Sequence, residues 1–529
     1  MSTTTAVVRK NTYYDSVSLM SVSTKANALD GVEQAFTAMG TEMNKGVLEN
    51  LGLLTEELRA AESGDLMIVL VAEDGADTEA LLAGIEDLLT RKAPASAAAG
   101  EVTYRTVASA AAGIEGANLA VIAVNGAYAA REARKALESG LHVMMFSDNV
   151  TVEDEVALKE LAHSKGLFMM GPDCGTAIVN NVALCFGNKV RPGSVGIVAA
   201  SGTGSQEVSV RVHALGGGVS QLIGTGGRDL SERVGGIMMV DGIRALAADP
   251  ATDVIVLVSK PPAPSVEKKV LAEVAAAGKP VVVWFIDGSE EAVAAAGGHF
   301  AAGSLQAARK AVELAGTAGT GGAVAGGAVA GGAVAEESDA EAAAAEIVAR
   351  LADGQKYVRG LFCGGTLCDE TMYAVRDAGI DVWSNIQKDP AFRLPAGAAS
   401  RGHTFLDFGD DDFTNGRPHP MIDPSLRVER IVEEAGDPEV AALVLDFVLG
   451  FGSHEDPVGT TLPAIEEARR LAREAGRHLE VVAYVLGTDL DTPSVAAQTA
   501  ALRAAGVTVT LSSTETGRLA REIAKKAQA

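Results

Sequence analysis

The sequence has 529 residues, of which 47% are hydrophobic, and its formal net charge is −25. The length suits three or four domains with buried cores, and the acidity together with the lack of a basic stripe argues against nucleic-acid binding. The apolar runs are shorter than the roughly 20 residues of a membrane span, and residues 1–11 lack the apolar stretch of a signal peptide. We therefore expect a cytoplasmic protein with reduced cysteines.

The first hundred residues predict a small α/β unit, for which a ferredoxin-like fold is one candidate. Residues 101–190 follow with strands that alternate with helices of 10–15 residues, which is typical of βαβ units and a parallel sheet. The predicted strands are 5–11, 31–39, 65–73, 119–124 and 141–146, and the predicted helices are 15–29, 41–51, 76–91, 127–139 and 151–165.

Residues 317–340 predict a flexible linker. Gly-Gly-Ala-Val-Ala occurs there three times in succession, over 321–335. Such a tract has no side chains able to build a core. The linker separates two further domains, which we expect to span 191–316 and 341–529.

The sequences of these two domains follow the same pattern, as expected for copies of one another. The strand "SVGIVAA" is followed by Ser201-Gly202-Thr203, and the strand "YVRGLFC" is followed by Gly364-Gly365-Thr366. Glu207 and Glu370 each lie four residues beyond the threonine, and "ADPATDVIVLVSKPP" later parallels "GDPEVAALVLDFVLG". Several matches in the same order indicate a duplication. The predicted fold class is α/β, with several doubly wound, Rossmann-like and flavodoxin-like parallel-sheet domains behind the small N-terminal unit.

Each copy has a Gly-Thr turn between a strand and a helix, which is a standard way to hold an anion. The first backbone N–H groups of a helix are unpaired, and the helix dipole is positive there. The anion-binding candidates are Ser201, Gly202, Thr203, Gly204, Gly364, Gly365 and Thr366.

Several motifs resemble the succinyl-CoA synthetase superfamily. "MMGPDCGTAIV", "GIVAASGTGSQEV" and "VSQLIGTGGRD" are similar to motifs of its α-subunit, and residues 355–525 are similar to the CoA-ligase domain of its β-subunit. Together with "MGTEMNK" and "GDDDFTNGRPHPMIDPSLR", the whole arrangement resembles the FdrA family, often described as acyl-CoA synthetases. The resemblance implies a partial CoA-binding-like domain over 101–190, a flavodoxin-type domain over 191–316 and a CoA-ligase-like domain over 341–529.

The chain departs from the superfamily in three places. The strand and glycine-rich turn that open the CoA domain are replaced by a different unit, which makes CoA a doubtful ligand. The relay-histidine motif reads Gly298-His299-Phe300, and Lys260 stands in the loop where a glutamate usually steadies the phosphohistidine. An ATP-grasp region is also missing, so we expect the chain to need partner subunits or to form a homo-oligomer.

The segment 401–427 predicts a long irregular insertion in the last domain. Such a loop is usually functional or disordered, and it carries four candidate catalytic residues: His403, Asp407, Arg417 and His419. The histidines suit acid–base work, and the arginine suits a carboxylate or phosphate. An interface loop is the alternative. A metal site lacks the usual ligand spacing, and we predict none.

A second group of candidates would bind substrate: Asn125, Arg228, Lys260 and Lys388. Cys174 follows a strand beside the first turn, where either a nucleophile or a small buried residue fits.

Two anion-binding turns without nucleotide machinery suit a small phosphate or acyl phosphate. The FdrA resemblance connects the chain to the oxamate carbamoyltransferase of allantoin breakdown, in which oxalurate and phosphate give oxamate and carbamoyl phosphate. A subunit of that enzyme is the leading hypothesis. The alternatives are an acyl-CoA synthetase subunit and a non-catalytic assembly subunit.

Overall fold

The computed structural model describes residues 3–90, 103–316 and 337–528, except residues 11, 13, 15, 28, 30, 63, 74, 396, 415 and 416. They form two compact units, which are 1–103 with 416–418, and 104–415 with 419–529. Most of the predicted linker lies outside the described residues, and its last four positions begin a helix at Glu337.

The first unit is a three-stranded antiparallel sheet in the order β1-β3-β2, with helices α1 and α4 packed on it. Strands β1 and β2 run parallel with β3 between them, which is the split βαβ arrangement of ferredoxin-like folds. The elements are β1 (Thr3–Arg9), α1 (Ser16–Asn27), β2 (Val32–Met39), α2 (Glu42–Asn50), α3 (Glu56–Arg59), β3 (Leu66–Ala72) and α4 (Thr78–Thr90).

The second unit begins with a small parallel sheet in the order β4-β5-β6. Its helices alternate with its strands, as the sequence predicts. The elements are α5 (Val107–Gly113), β4 (Leu119–Ile122), α6 (Gly126–Glu138), β5 (His142–Met145), α7 (Val152–Lys165) and β6 (Met169–Met170).

A seven-stranded sheet follows in the order β13-β12-β11-β9-β10-β7-β8. Its central strands are parallel, whereas β7 and β8 form an antiparallel hairpin at one edge. The elements are β7 (Thr176–Val179), β8 (Val182–Cys185), β9 (Pro192–Ala200), α8 (Gly202–Ala214), β10 (Val219–Gly224), α9 (Ile237–Ala248), β11 (Val254–Ser259), α10 (Pro264–Ala276), β12 (Val281–Phe285), α11 (Glu290–Ala295), β13 (His299–Phe300) and α12 (Ser304–Leu314).

The last sheet is fully parallel, in the order β15-β16-β14-β17-β18-β19. The elements are α13 (Glu337–Val348), β14 (Tyr357–Phe362), α14 (Gly365–Arg376), β15 (Val382–Trp383), β16 (His403–Asp407), α15 (Asp411–Thr414), α16 (Ser425–Ala435), β17 (Val440–Val448), α17 (Pro457–Glu474), β18 (Glu480–Leu486), α18 (Val495–Ala504), β19 (Thr508–Thr510) and α19 (Ser513–Ala527).

The segment expected as an irregular insertion is partly regular. Its residues 403–407 form β16, which is fully buried and lies beside the central strand β14. This five-residue segment is too short, and too polar at both ends, to be recognised as a strand from the sequence. The strand brings Asp407 to the carboxyl edge of the sheet, where open α/β sheets bind ligands.

The two large sheets share one apolar core. It contains residues of both sheets and of helices α8, α12, α14 and α19. Separate clusters cover the opposite faces, with α9 and α10 on the seven-stranded sheet and α16, α17 and α18 on the six-stranded sheet. Both sheets are therefore covered by helices on both sides, which confirms the predicted doubly wound fold class.

The matched glutamates link the two halves reciprocally. Glu207, on α8, accepts a hydrogen bond from Ser513 N at the start of α19, at 3.2 Å. Glu370, on α14, accepts one from Ser304 N at the start of α12, at 3.0 Å. Each glutamate thus caps the last helix of the other half, and this exchange fixes helices α8 and α14 relative to one another.

Candidate functional site

The two Gly-Thr turns meet face to face. The hydroxyls of Ser201 and Thr366 lie 2.5 Å apart, and Thr366 N donates to Thr203 Oγ1 at 3.3 Å. A Cβ atom added at Gly204 would lie 2.9 Å from Thr366 Cγ2, and one at Gly364 would lie 3.0 Å from Thr203 Cγ2. Only glycine allows so close an approach, and the turns therefore form one site.

The first turn remains open to a ligand. Ser201 caps helix α8 by accepting the Gly204 N–H at 3.0 Å. Within the described part of the chain, the N–H groups of Gly202 and Thr203 have no acceptor. A Cβ at Gly202 would meet nothing closer than 3.9 Å. Two N–H groups without an acceptor at the positive end of a helix can receive an anion.

In the second turn, an internal carboxylate occupies the two N–H groups that lead into helix α14. The buried Asp446 carboxylate accepts the N–H groups of Cys363 at 2.7 Å and Gly364 at 2.8 Å, and it is paired with Arg427 at 3.0 Å. The sequence predicts the same role for both turns, but β17 places an internal carboxylate on the second one.

Lys260 and two carboxyl groups lie beside Gly365. A Cβ there would lie 2.4 Å from Asp407 Oδ2 and 3.1 Å from Lys260 Nζ. The ammonium group of Lys260 is also 3.8 Å from Asp369 Oδ2. Burial alone would lower the pKa of Lys260, but the surrounding carboxylates, chiefly Asp369, outweigh it and raise that pKa. Lys260 therefore carries a permanent positive charge at the junction of the turns.

The carboxyl groups of this junction titrate near neutrality. Burial raises the pKa of Asp407 to about 7 against the opposing charge of Lys260, and raises that of Asp369 to about 6 in the same way. Asp407 Oδ1 accepts the Gly409 N–H at 2.9 Å, which leaves Oδ2 directed at Gly365. A carboxyl group with such a pKa can both accept and return a proton at neutral pH.

A further carboxyl group, Asp173, reaches this region from the loop between β6 and β7. Loss of hydration and the neighbouring Asp411 raise its pKa to about 7, whereas Lys260 and Arg228 oppose the shift. Arg228 itself donates to Glu155 at 2.9 Å and to the carbonyl of Val150 at 2.8 Å. Arg228 is thus anchored by protein groups close to Asp173.

His419 lies on the Asp407 side of the site. A Cβ at Gly409 would lie 2.6 Å from His419 Nε2 and 3.2 Å from Asp407 Oδ1. Burial lowers the pKa of His419 to about 4, so the ring is neutral at pH 7. Its Nδ1 accepts the Met421 N–H at 3.2 Å, which assigns the ring proton to Nε2. His419 can therefore donate a hydrogen bond as a neutral group.

The structure does not bring His403 to the turns. His403 begins β16, at the end opposite Asp407, and burial lowers its pKa to about 4. It accepts the Val358 N–H and contacts Gln528. Arg417 is exposed and belongs to the first unit.

The other predicted residues occupy separate positions. Asn125 caps α6 by accepting the Ala127 N–H at 3.0 Å. Lys388 is exposed and donates to the Pro261 carbonyl at 3.4 Å. His299 lies in edge strand β13. Cys174 is buried, and burial raises its pKa to about 12, which favours a packed thiol.

Three carboxylates of this region were missed by sequence reasoning: Asp173, Asp369 and Asp446. Asp446 lies in an apolar strand run, where a single acidic residue was the available signal. Among the described residues, three or more His, Cys, Asp or Glu side chains nowhere come together so as to hold a metal ion. The described helices also include none long and apolar enough to cross a membrane.

Family models match three parts of the chain. A model described as "AllF, heavy metal-associated domain" matches residues 1–105, one described as "CoA binding domain" matches 190–286, and one described as "CoA-ligase" matches 361–523. The sequence over 1–105 contains neither cysteine nor histidine, the usual ligands of heavy metals.

A curated relative covers nearly the whole chain. The uncharacterized protein YahF of Escherichia coli K12 is 60% identical over 522 residues, which are 99% of each chain. The chain belongs to the FdrA-like family, within the succinyl-CoA synthetase superfamily. The "CoA binding domain" match lies on the seven-stranded sheet of this family member, and the "CoA-ligase" match lies on the six-stranded sheet.

Two further proteins are similar to this chain at lower identity. The succinate–CoA ligase [ADP-forming] subunit alpha 2 of Archaeoglobus fulgidus is 29% identical over 148 residues, or 27% of this chain and 50% of that subunit. The acetyl-coenzyme A synthetase 1 of Ca. Korarchaeum cryptofilum, solved with phosphate and ADP, covers 81% of this chain and 87% of its own at 18% identity, with a TM-score of 0.30. Membership of this superfamily supports the assignment of the chain as an acyl-transfer or ligase enzyme. Its relatives include subunits of CoA ligases.

Proposed function

We propose that this FdrA-like chain transfers a carbamoyl or similar acyl group to phosphate, as one subunit of an oxamate carbamoyltransferase in allantoin breakdown. The observation that carries the proposal is the junction of the two turns. There, free N–H groups at the start of α8 and the cation of Lys260 lie beside Asp407, whose pKa is near neutrality. The match of residues 1–105 to a domain described from AllF supports the allantoin assignment.

Phosphate would bind at the first turn. The N–H groups of Gly202 and Thr203 would donate to its oxygens, and Lys260 would balance its charge. Backbone donors of this kind are fixed before the ligand arrives, so they stabilise charge without reorganising. Arg228, on the Asp173 side, is a candidate contact for the carboxylate of oxalurate, since its side chain remains partly exposed.

The reaction needs one proton relay and no covalent enzyme intermediate. An oxygen of hydrogen phosphate attacks the carbamoyl carbon of oxalurate, and the bond from that carbon to the amide nitrogen breaks. Asp407 takes the proton from phosphate and returns it to the departing nitrogen, so that carbamoyl phosphate and oxamate leave with all atoms accounted for. The neutral His419 would donate from Nε2 to an oxygen that gains charge in the transition state.

The proposal is tested by phosphorolysis of oxalurate, followed by 31P NMR for the appearance of carbamoyl phosphate. The full chain is assayed alone and together with candidate partner proteins. Thr203→Ala and Thr366→Ala should each reduce the reconstituted activity, because these residues hold the turns together. If both variants retain full activity, the two turns do not form the reaction site.

An acyl-CoA synthetase subunit is the second candidate, and the "CoA binding domain" and "CoA-ligase" matches favour it. No step of the proposed reaction uses CoA. Measurable CoA binding, or acid-labile and base-stable phosphate on His299, would favour the synthetase. If the chain binds no phosphate-like ligand, an assembly role remains.

A further inference from the structure

Strand β16 has unequal partners on its two sides. Beside β14 it is paired through its last residue, since Phe362 stands opposite Asp407. Beside β15 the pairing ends at Thr404, because β15 has only two residues. In the described sheet, residues 405–407 therefore have no strand next to them on the β15 side.

A side chain takes the place of the missing strand. The N–H group of Phe408 donates to the Phe362 carbonyl on β14 at 2.9 Å. Since successive residues of a strand direct their N–H and C=O groups to opposite sides, those of Asp407 point toward the β15 side. There Asp407 N donates to Asn385 Oδ1 at 2.9 Å, and Asn385 Nδ2 donates to the Asp407 carbonyl at 2.9 Å. This pair of hydrogen bonds, the Asn385 clamp, replaces the contact that a longer β15 would make.

Asn385 is itself held in place. It is fully buried, and so is the residue before it, Ser384. Ser384 N donates to the Phe392 carbonyl at 3.1 Å, and Leu394 N donates to the Ser384 carbonyl at 2.9 Å. The hydroxyl of Ser384 accepts the Ile386 N–H at 3.1 Å. The Asn385 clamp therefore starts from a fixed stretch of backbone.

The Asn385 clamp determines where the Asp407 carboxyl group lies. Oδ1 of that group accepts the Gly409 N–H at 2.9 Å, and Oδ2 lies where a Cβ at Gly365 would collide with it. Without the Asn385 side chain, Asp407 N would lose its acceptor, and among the described residues its carbonyl would keep only the Asp410 N–H, at 3.5 Å. A buried N–H group without a partner is unfavourable, so the backbone would move toward another acceptor and displace the carboxyl group.

We infer that Asn385 is a positioning residue, whose side-chain amide fixes the end of β16 and thereby holds the Asp407 carboxyl group at Gly365 for proton transfer. It acts through Asp407, since both hydrogen bonds of the clamp go to backbone atoms of that residue. The proton transfer rests on the proposed function, but the Asn385 clamp does not.

The kinetics of oxalurate phosphorolysis test the positioning role. Asn385→Ala should lower kcat by about 100-fold, the size of effect expected when a reacting group is displaced by about 1 Å. KM for phosphate should stay unchanged, because the proposed phosphate donors lie at the start of α8, in the other half.

Gln355→Ala is the matched control. Gln355 is also a buried amide, and its Nε2 donates to the carbonyls of Val440 and His478, at the amino edge of the same sheet. The control variant loses comparable hydrogen bonds far from Asp407, so it should keep the original kcat. A fall in kcat no larger in Asn385→Ala than in Gln355→Ala would overturn the inference.

Asn385→Asp provides a readout that a packing role would not change. The variant keeps the size of the side chain and an acceptor for Asp407 N, but it places a second carboxyl group beside Asp407. The added negative charge disfavours ionisation of Asp407 and raises its pKa. The acidic limb of kcat/KM should therefore move to higher pH, and a limb that stays in place would contradict the positioning role. Asn385→Asp is also the second variant if circular dichroism shows that Asn385→Ala does not fold.

Carboxyl footprinting tests the Asn385 clamp without the reaction. A carbodiimide and glycine ethyl ester label accessible carboxyl groups, and mass spectrometry of peptides locates the label. Asp407 is buried and should be labelled slowly in the original chain but faster in Asn385→Ala, whereas the buried Asp446 should stay protected in both. Equal protection of Asp407 in a folded Asn385→Ala would overturn the inference.

The inference and the proposed function fail in different ways. If the original chain has no phosphorolysis activity but Asn385→Ala exposes Asp407 to labelling, the Asn385 clamp is correct and the proposed reaction is wrong. If Asp407 becomes labelled while kcat is unchanged, Asn385 holds a carboxyl group that does not transfer the proton, and the positioning role is overturned.

Discussion

Asp407 shows how burial can prepare a carboxyl group for proton transfer. Its pKa of about 7 arises from loss of hydration, opposed by Lys260 and reinforced by Asp410. Since the ionised form must accept the proton of phosphate, activity should rise with pH through about 7 and fall about tenfold per pH unit below it. The pH profile of kcat/KM for oxalurate phosphorolysis measures this acidic limb.

Two variants distinguish a proton-transfer role of Asp407 from a role in packing alone. Asp407→Asn should lower kcat by roughly 100-fold or more, the size of a lost general acid–base contribution. Asp410→Asn removes a like charge and should move the acidic limb to lower pH while the enzyme remains active. An acidic limb that stays in place in Asp410→Asn would assign it to another group.

Lys260 is the cation nearest the junction of the turns. Lys260→Met should raise KM for phosphate by about tenfold or more, since a charged hydrogen bond contributes about 1.5–3 kcal/mol. Lys310→Met, on the exposed face of α12 and paired with Glu313, is the matched control and should leave KM unchanged. Equal effects in the two variants would show that net charge, rather than the position of Lys260, controls binding.

At the scale of elements, the reciprocal caps hold the two turns in contact. Glu370 accepts from Ser304 N and from Thr514 Oγ1, at 3.0 and 2.7 Å. Glu370→Ala should lower the free energy of unfolding by about 1 kcal/mol, the typical contribution of a helix cap. Urea denaturation measures the change, with Glu474→Ala on the exposed face of α17 as the control. A loss no greater than in that control would contradict the capping role.

The sequence predicted most elements because their hydrophobic periodicity is strong. Helix α7 and strands β1, β2 and β3 lie within a few residues of their predicted bounds. Strand β16 was missed because five residues with His403 and Asp407 at its ends carry little periodicity. The glycine-rich turn at Gly202 is visible in the sequence, whereas the hydrogen bond from Gly364 N to Asp446 depends on a residue 82 positions away and on strand register.

At the scale of the whole molecule, the two halves of the second unit are inseparable. Their sheets share one apolar core with α8, α12, α14 and α19. A protease site engineered between residues 321 and 335 should therefore give two fragments that elute together in gel filtration and part only in denaturant. Fragments that separate in native buffer would contradict a shared core.

The extra strand β16 makes the duplication unequal. One half contributes Lys260 and the N–H groups at the start of α8, and the other contributes Asp407, on strand β16 beside β14. In the proposed reaction, the first half would bind phosphate and the second half would transfer the proton. Two copies of either half could not rebuild the site, so a gene split at the linker would need both products in the same cell.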